Sequence, residues 1–85
     1  MKHATASALD RLTGLLGEIR QSQPLKEKSR GVFYFKSKAV LHFHEDPAGV
    51  FADFRAKDNW QRFAVNTTDE RAAFLRVVAA FLVPR

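Results

Sequence analysis

Two histidines separated by one residue, His42 and His44, are the side chains of this 85-residue chain best placed to do chemistry together. They lie in the run Ala39–His44. Because strand side chains alternate between the two faces of a sheet, a strand here places both imidazoles on the same side. Imidazole nitrogens and carboxylate oxygens bind zinc and iron, so a metal site formed by His42, His44 and Asp53 is one hypothesis. No spacing in the sequence fixes Asp53 as the third ligand.

The same residues also fit a purely structural arrangement. His42 is expected to face Asp53 across one hairpin, and Asp53 to face Arg62 across the next, which makes a cross-strand row of polar side chains. We favour this row over the metal site and therefore predict no bound metal and no cofactor. His42 oriented by Asp53 has the chemistry of a general acid or base, but no nucleophile, oxyanion hole or substrate pocket accompanies it. The sequence therefore favours a non-enzymatic protein without catalytic residues.

These side chains are positioned by a predicted meander of four antiparallel strands, over about residues 32–36, 39–45, 50–55 and 60–65. Residues 46–49, Asp-Pro-Ala-Gly, are typical of a tight turn and bring His42 opposite Asp53. A polar loop at residues 56–59 closes the next hairpin and brings Asp53 opposite Arg62.

The first hairpin is predicted to turn at residues 36–38, which places Phe33 opposite Leu41 and Phe35 opposite Ala39. With these registers the apolar strand residues share one face, the core face: Phe33, Phe35, Leu41, Phe43, Val50, Ala52, Phe54, Phe63 and Val65. The other side, the outer face, carries Tyr34, Val40, His42, His44, Phe51, Asp53, Arg55, Trp60 and Arg62.

Two helices are predicted to cover the core face, over about residues 8–22 and 68–82. The first repeats apolar residues at helical spacing, at Leu9, Leu12, Leu16 and Ile19. The second begins with the sequence Thr67-Thr-Asp-Glu70. This is a capping box, in which each of the side chains of Thr67 and Glu70 bonds the backbone amide of the other residue.

The predicted fold is therefore α+β, in the order αββββα, with a four-stranded antiparallel meander and both helices on one face. It forms a single domain over residues 1–85, in which residues 1–6 are disordered. The chain has no cysteine, which excludes disulfides and thiolate chemistry. Its first residues lack the apolar segment of a signal peptide, and its longest apolar run, residues 77–83, is far shorter than the ~20 residues that span a bilayer. We predict a cytoplasmic protein without membrane association.

The formal net charge of +5 is concentrated in residues 20–38, which contain six basic residues and one acidic residue, Glu27. A loop and hairpin this basic can follow the phosphates of a nucleic acid, with Tyr34 and Trp60 as surfaces on which bases stack. The alternative is a solvated segment whose lysines keep the protein soluble and protect an edge strand. The candidate nucleic-acid-binding residues are Arg20, Lys26, Lys28, Arg30, Lys36, Lys38, Tyr34 and Trp60.

The chain has more apolar side chains than one small core buries. Residues 77–83 are apolar on all sides of the second helix, and the outer face carries further large apolar groups. Surfaces of this kind are typical of protein contacts. We therefore predict a protein partner or a homodimer, with the candidate contact residues Tyr34, Val40, Phe51, Trp60 and Arg62.

Part of the chain resembles a known group of proteins. The sequence RGVFYFKSKAVLHFHEDPAG at residues 30–49, with FADFR at 51–55 and FAVNT at 63–67, is similar to a group of small uncharacterised bacterial proteins in which the strand, the LHFHEDP turn and the capped helix recur. The resemblance implies the fold and a bacterial origin, and it implies no activity. We interpret the chain as a small bacterial protein-interaction or self-associating module. Nucleic-acid binding is the first alternative, and metal binding through His42 and His44 is the second.

Overall fold

Six strands and three helices follow one another over residues 2–82, the part of the chain that the computed structural model describes. In chain order they are β1 (Lys2–His3), α1 (Ala6–Asp10), α2 (Thr13–Arg20), β2 (Lys26–Ser29), β3 (Val32–Phe35), β4 (Lys38–Asp46), β5 (Gly49–Ala56), β6 (Asn59–Ala64) and α3 (Thr68–Leu82). Strands β2 to β6 pair antiparallel in sequence order, and β1 pairs with β4. The α+β class is confirmed, whereas the prediction of four strands in the order αββββα is wrong in its details.

The two hairpins that hold the outer-face polar residues have the predicted registers. In the β4/β5 pair His42 lies opposite Asp53, and in the β5/β6 pair Asp53 lies opposite Arg62 and Arg55 opposite Trp60. A slip of one residue would move every apolar side chain of a strand to the solvent face, so the alternating pattern fixes the pairing.

The first hairpin differs from the prediction near its turn. Phe33 does lie opposite Leu41, but Phe35 pairs with Lys38 rather than with Ala39. The turn has only two residues, and the backbone φ of Lys36 is +60°. The turn is therefore one residue shorter than predicted. An irregularity of the β-bulge type between Phe33 and Tyr34 compensates for the missing residue, so that Phe33 still pairs with Leu41.

Two strands were not predicted. Strand β2 has the sequence Lys-Glu-Lys-Ser, whose residues have low strand propensity, and it is largely exposed at the edge of the sheet. Lysines on such an edge hinder pairing with other chains. Strand β1 falls within residues 1–6, which we expected to be disordered. Instead Lys2 pairs with Glu45 and His3 with His44, while Met1 lies outside the described residues.

The first predicted helix is divided into α1 and α2. The side chain of Thr5 caps α1 by accepting a hydrogen bond from the Ala8 amide at 3.3 Å. At the break, the Thr13 hydroxyl donates to the Asp10 carbonyl oxygen at 2.7 Å. A local bond of this kind competes with the continuous helical hydrogen-bond pattern. The second predicted helix, over residues 68–82, is confirmed as α3.

The hydrophobic core lies between the helices and the core face of the sheet. The buried apolar residues of all three helices join those of the sheet in one cluster, whose most completely buried large side chains are Phe33, Phe54, Phe74, Leu12, Leu16, Ile19, Leu41, Val65 and Val78. Phe35 and Phe63, which we assigned to the core face, pack at the margin of this cluster and are only partly buried. Val40, which we assigned to the outer face, is 5% exposed and belongs to the cluster. Alternation assigns a face to a residue, but it does not say what covers that face.

The capping box of α3 forms as the sequence predicts. The Glu70 amide donates to the Thr67 hydroxyl oxygen at 3.1 Å, and one Glu70 carboxylate oxygen accepts from the amides of Asn66 and Thr67 at 2.8 and 3.1 Å. These bonds satisfy amides that the first helical turn leaves without partners.

We expect Thr67→Ala to lower the free energy of unfolding by about 1 kcal/mol, because the Glu70 amide loses its acceptor. Urea denaturation followed by circular dichroism measures this loss. Thr68→Ala is the matched control, since Thr68 is exposed and is the first residue of the helix itself. An equal loss in both variants would contradict the role of the cap.

Glu27 of β2 connects three elements of the fold. Its carboxylate accepts hydrogen bonds from the Arg20 guanidinium at the end of α2 and from the Gly31 amide at 2.8 Å, in the turn before β3. The bond from Arg20 is the main reason that the pKa of Glu27 lies below its ordinary value. A folded-state pKa below the unfolded one stabilises the protein above the unfolded pKa, and this stabilisation is lost as the pH falls through the folded pKa.

We therefore expect Glu27→Gln to lower the urea midpoint at pH 7 by less than Thr67→Ala does, because Arg20 is largely exposed to water. At a pH below the folded pKa of Glu27 the variant and the wild type should have converging midpoints, since Glu27 is then protonated. A difference that stays constant across this pH range would show that charge is not the cause.

Candidate metal centre

Three imidazoles meet on the outer face of the sheet. His42 and His44 lie on the same side of β4, and His3 of β1 lies directly opposite His44 in the antiparallel register. The rings of His3 and His44 are stacked with centroids 4.9 Å apart, and the ring of His42 lies 4.6 Å from His44 and 5.7 Å from His3. One nitrogen from each residue lies within 4.8 Å of the other two. We call these three residues the histidine cluster.

The spacing of the nitrogens is close to that of a tetrahedral metal site. Zinc–nitrogen bonds of about 2.0–2.1 Å place two ligand nitrogens about 3.3 Å apart in tetrahedral geometry. In the structure His44 Nε2 lies 2.7 Å from His42 Nδ1, so that one nitrogen donates a proton to the other. For one nitrogen of each residue the separations are at most 4.8 Å. Shifts on the order of 1 Å, together with rotation of the stacked His3 and His44 rings, would bring the three imidazoles around one ion.

Two imidazoles of the histidine cluster, those of His42 and His44, have a lowered pKa. Burial lowers the pKa of His42, and the adjacent His44 lowers it further. Burial likewise lowers the pKa of His44, against the opposite effect of the Asp53 carboxylate. Both imidazoles are thus neutral at pH 7, which leaves each a lone pair for a metal ion.

Asp53 lies beside the histidine cluster and is bound by Arg62. Its residue surface is 7% exposed, and the Arg62 guanidinium donates to both carboxylate oxygens, at 2.7 and 2.8 Å. This bidentate bond is the main reason that the pKa of Asp53 is lowered. The Asp53–Arg62 half of the predicted polar row is therefore present. The imidazole closest to Asp53 is that of His44, whose Nε2 lies 3.4 Å from Oδ2, rather than that of His42.

The predicted ligand set is therefore changed in one member. The structure brings His42 and His44 together as expected, but the third imidazole is that of His3, while Asp53 is held by Arg62. We missed His3 because no local pattern in residues 1–6 indicates a strand. One signal was available. The strand predicted at residues 39–45 extends past the residues that pair with the strand predicted at residues 32–36, which leaves unpaired backbone beside His44 on that edge.

Trp60 lies beside the histidine cluster. Its ring centroid is 4.6 Å from that of His42. The Arg55 guanidinium lies over the same Trp60 ring, 4.9 Å from its centroid. Trp60 is 42% exposed and is the single tryptophan of the chain. Its fluorescence therefore reports on the immediate surroundings of His42.

The basic residues that we proposed for nucleic-acid binding do not form one patch of free cations. Arg20 is paired with Glu27, and Arg30 with Asp10 at 2.6 Å. The ammonium group of Lys28 lies 5.9 Å from the ring of Tyr34 on the β2/β3 hairpin. The remaining three lysines of the set are exposed; they are the first residue of β2, the first residue of the β3/β4 turn and the first residue of β4: Lys26, Lys36 and Lys38.

The candidate contact residues differ widely in exposure. Val40 is buried, Tyr34 and Phe51 are partly buried, and Trp60 and Arg62 are exposed. Trp60 is the one large apolar side chain that is exposed among the described residues. The outer face therefore presents less continuous apolar surface than its sequence suggested.

No family model, curated protein or solved structure matches the chain. The resemblance to small uncharacterised bacterial proteins thus stays a prediction. Between residues 2 and 82, no helix combines the length and the apolar character needed to cross a membrane.

We expect Arg62→Ala to destabilise the protein more than Glu27→Gln does, because it leaves the buried Asp53 carboxylate without its cation. Adding Asp53→Asn to this variant should restore part of the stability, since the neutral amide needs no counterion. Urea denaturation of the two single variants and the double variant measures the coupling. Strictly additive losses would show that the two side chains do not stabilise each other.

Proposed function

We propose that this protein binds a divalent transition-metal ion, with Zn²⁺ as the first candidate, through His3, His42 and His44. One observation carries the proposal: the chain contains three histidines, and all three meet at one place on the sheet. His42 and His44 are next to each other on one side of β4, whereas His3 comes from β1, which is about 40 residues earlier in the chain. A strand pairing that brings this third imidazole to the other two supports a ligand set rather than an accidental contact.

A second observation supports the same proposal. His44 Nδ1 is buried and has no hydrogen-bond partner in the part of the chain that is described. Native proteins rarely leave a buried nitrogen unsatisfied, and an ion or water molecule is a usual explanation where one occurs. An ion bound by His44 Nδ1 would leave the contact between His44 Nε2 and His42 Nδ1 in place, because the two nitrogens of one imidazole point away from each other.

The ligand chemistry limits the choice of metal. Imidazole nitrogens suit zinc, copper, iron and nickel, and the chain offers no thiolate that would favour a closed structural zinc site. Three histidines leave one position of a tetrahedral site open. Because Asp53 is already bound by Arg62, we assign this fourth position to water or to an external ligand, with Asp53 as a nearby acceptor of its hydrogen bonds.

We expect protein purified without a histidine tag, and first freed of metal with a chelator, to bind one Zn²⁺ per chain in calorimetric titration. His3→Gln should weaken this binding by more than about tenfold, a change of about 1.4 kcal/mol, because it removes one of three ligands. His3 is exposed and lies at the edge of the sheet, so this variant should stay folded. Asp69→Asn is the matched control. It removes an exposed carboxylate, which is also a possible metal ligand, from the first turn of α3, which is not part of the histidine cluster.

A second readout locates the ion. Cu²⁺ quenches tryptophan fluorescence at short range, and the Trp60 ring lies 4.6 Å from that of His42. Stoichiometric Cu²⁺ should therefore quench Trp60 in the wild type and in Asp69→Asn, and much less in His3→Gln. Equal Zn²⁺ affinity and equal quenching in all three proteins would overturn the proposal, as would the lack of a one-to-one titration.

A further inference from the structure

A second feature of the molecule lies where the β3/β4 and β5/β6 turns meet at one end of the sheet. There a cavity of about 460 Å³ opens to the surface. Its apolar lining consists of Phe35, Val40 and Phe81, the last of which comes from α3. The rings of Phe35 and Phe81 meet edge to face, with centroids 5.2 Å apart. The volume is within the range of about 300–1,000 Å³ that small-molecule sites usually have.

The polar lining of this cavity is strongly cationic. Three lysines, Lys36, Lys38 and Lys57, border it together with Arg55, against one carboxylate, that of Asp58. Arg55 is already engaged, since it donates to the Ala39 carbonyl oxygen at 2.7 Å and lies against the ring of Trp60.

The three lysines are not held by carboxylates, and the Lys36 ammonium group lies 5.4 Å from the centroid of the Phe35 ring. None of them is in an ion pair among the described residues, whose pairs involve only arginine and histidine as the cations. Three ammonium groups above an apolar floor favour a compact, multiply charged anion carried on an apolar body.

The backbone gives a separate indication that two of these lysines have a use. Lys36 has φ of +60° and Lys57 has φ of +62°, and they are the non-glycine residues with positive φ in the described part of the chain. Each is the first residue of a two-residue hairpin turn, a position at which glycine relieves the strain. Strained positions of this kind cluster at ligand-binding sites. A lysine in both turns, where glycine would fit better, indicates that the side chain contributes something that glycine cannot.

We propose that this cavity binds a small organic phosphate, in which a phosphomonoester group is attached to an apolar, preferably aromatic, body. The phosphoryl group carries a charge of about −1.5 to −2 at pH 7, which matches the lysines. Its body lies on Phe35, Val40 and Phe81. Lysine binds phosphate as a point charge, without the bidentate geometry that arginine requires. This site is separate from the histidine cluster and does not depend on metal binding.

The probe for the test is 1-naphthyl phosphate, whose fluorescence anisotropy rises when it is bound. It should bind one molecule per chain, and more weakly as the salt concentration rises. Inorganic phosphate lacks the apolar body and 1-naphthol lacks the charge, so each should bind at least about tenfold more weakly, as measured by competition. Inorganic phosphate that competes as well as the probe would overturn the role of the apolar floor.

The double variant Lys36→Gly, Lys57→Gly separates binding from folding. Glycine relieves both positive-φ positions, so thermal stability should stay the same or rise, while probe affinity falls at least about tenfold. The matched control is Lys26→Ala, Lys28→Ala, which removes the same charge from β2, away from the cavity lining. Lys38→Gln is a third variant that leaves both turns intact and should also weaken binding.

Three results would overturn the assignment. One is wild-type affinity in the double glycine variant. Another is an equal loss in the β2 control, which would mean that the probe responds to net charge alone. The third is tighter binding of a single-stranded oligonucleotide that depends on Lys26 and Lys28, which would assign the basic surface to nucleic acid instead.

Discussion

The pairing of β4 along both of its edges is the constraint on which the rest of the structure depends. Strand β5 occupies one edge, while β3 and then β1 share the other. Because side chains alternate along β4, this pairing sends Leu41 and Phe43 into the core and turns His42 and His44 to the outer face. The β5/β6 pairing then aligns Asp53 with its cation, Arg62. The pairings of β4 therefore fix the core and the histidine cluster, and the next pairing in the sheet adds the ion pair.

The parts of the fold that could be predicted are those in which local turn chemistry and alternation agree. The turn at residues 46–49 and the apolar pattern on either side allow one register, and the structure has it. The capped helix α3 is signalled in the same way by Thr67 and Glu70. Strand β2 gave no such signal, because its charged residues pair through their backbone and bury little. At the division between α1 and α2 the Thr13 hydroxyl donates to the Asp10 carbonyl oxygen, a local bond that competes with helical continuity.

Two of the three imidazoles could be found from the sequence because they share one strand. The third was missed, since His3 reaches the histidine cluster through a pairing between distant parts of the chain. Asp53 was predicted as a ligand because it faces His42. A buried carboxylate needs a cation as a partner, and Arg62 on the adjacent strand is that cation. The cationic cavity was not predicted from the sequence either. It forms where two turns come together, and the sequence indicated only that residues 20–38 are basic.

Strand β1 is short, and it covers a backbone edge that would otherwise be open. It is held by two residue pairs and by the bond from the Ala4 amide to the Phe43 carbonyl oxygen at 3.0 Å. If it detaches, the second half of β4 presents unpaired amides and carbonyls, which are a template for a strand from another molecule. An ion held by His3 together with two residues of β4 would join this short strand to the sheet, so that metal supply would also set how long the exposed edge is available for aggregation.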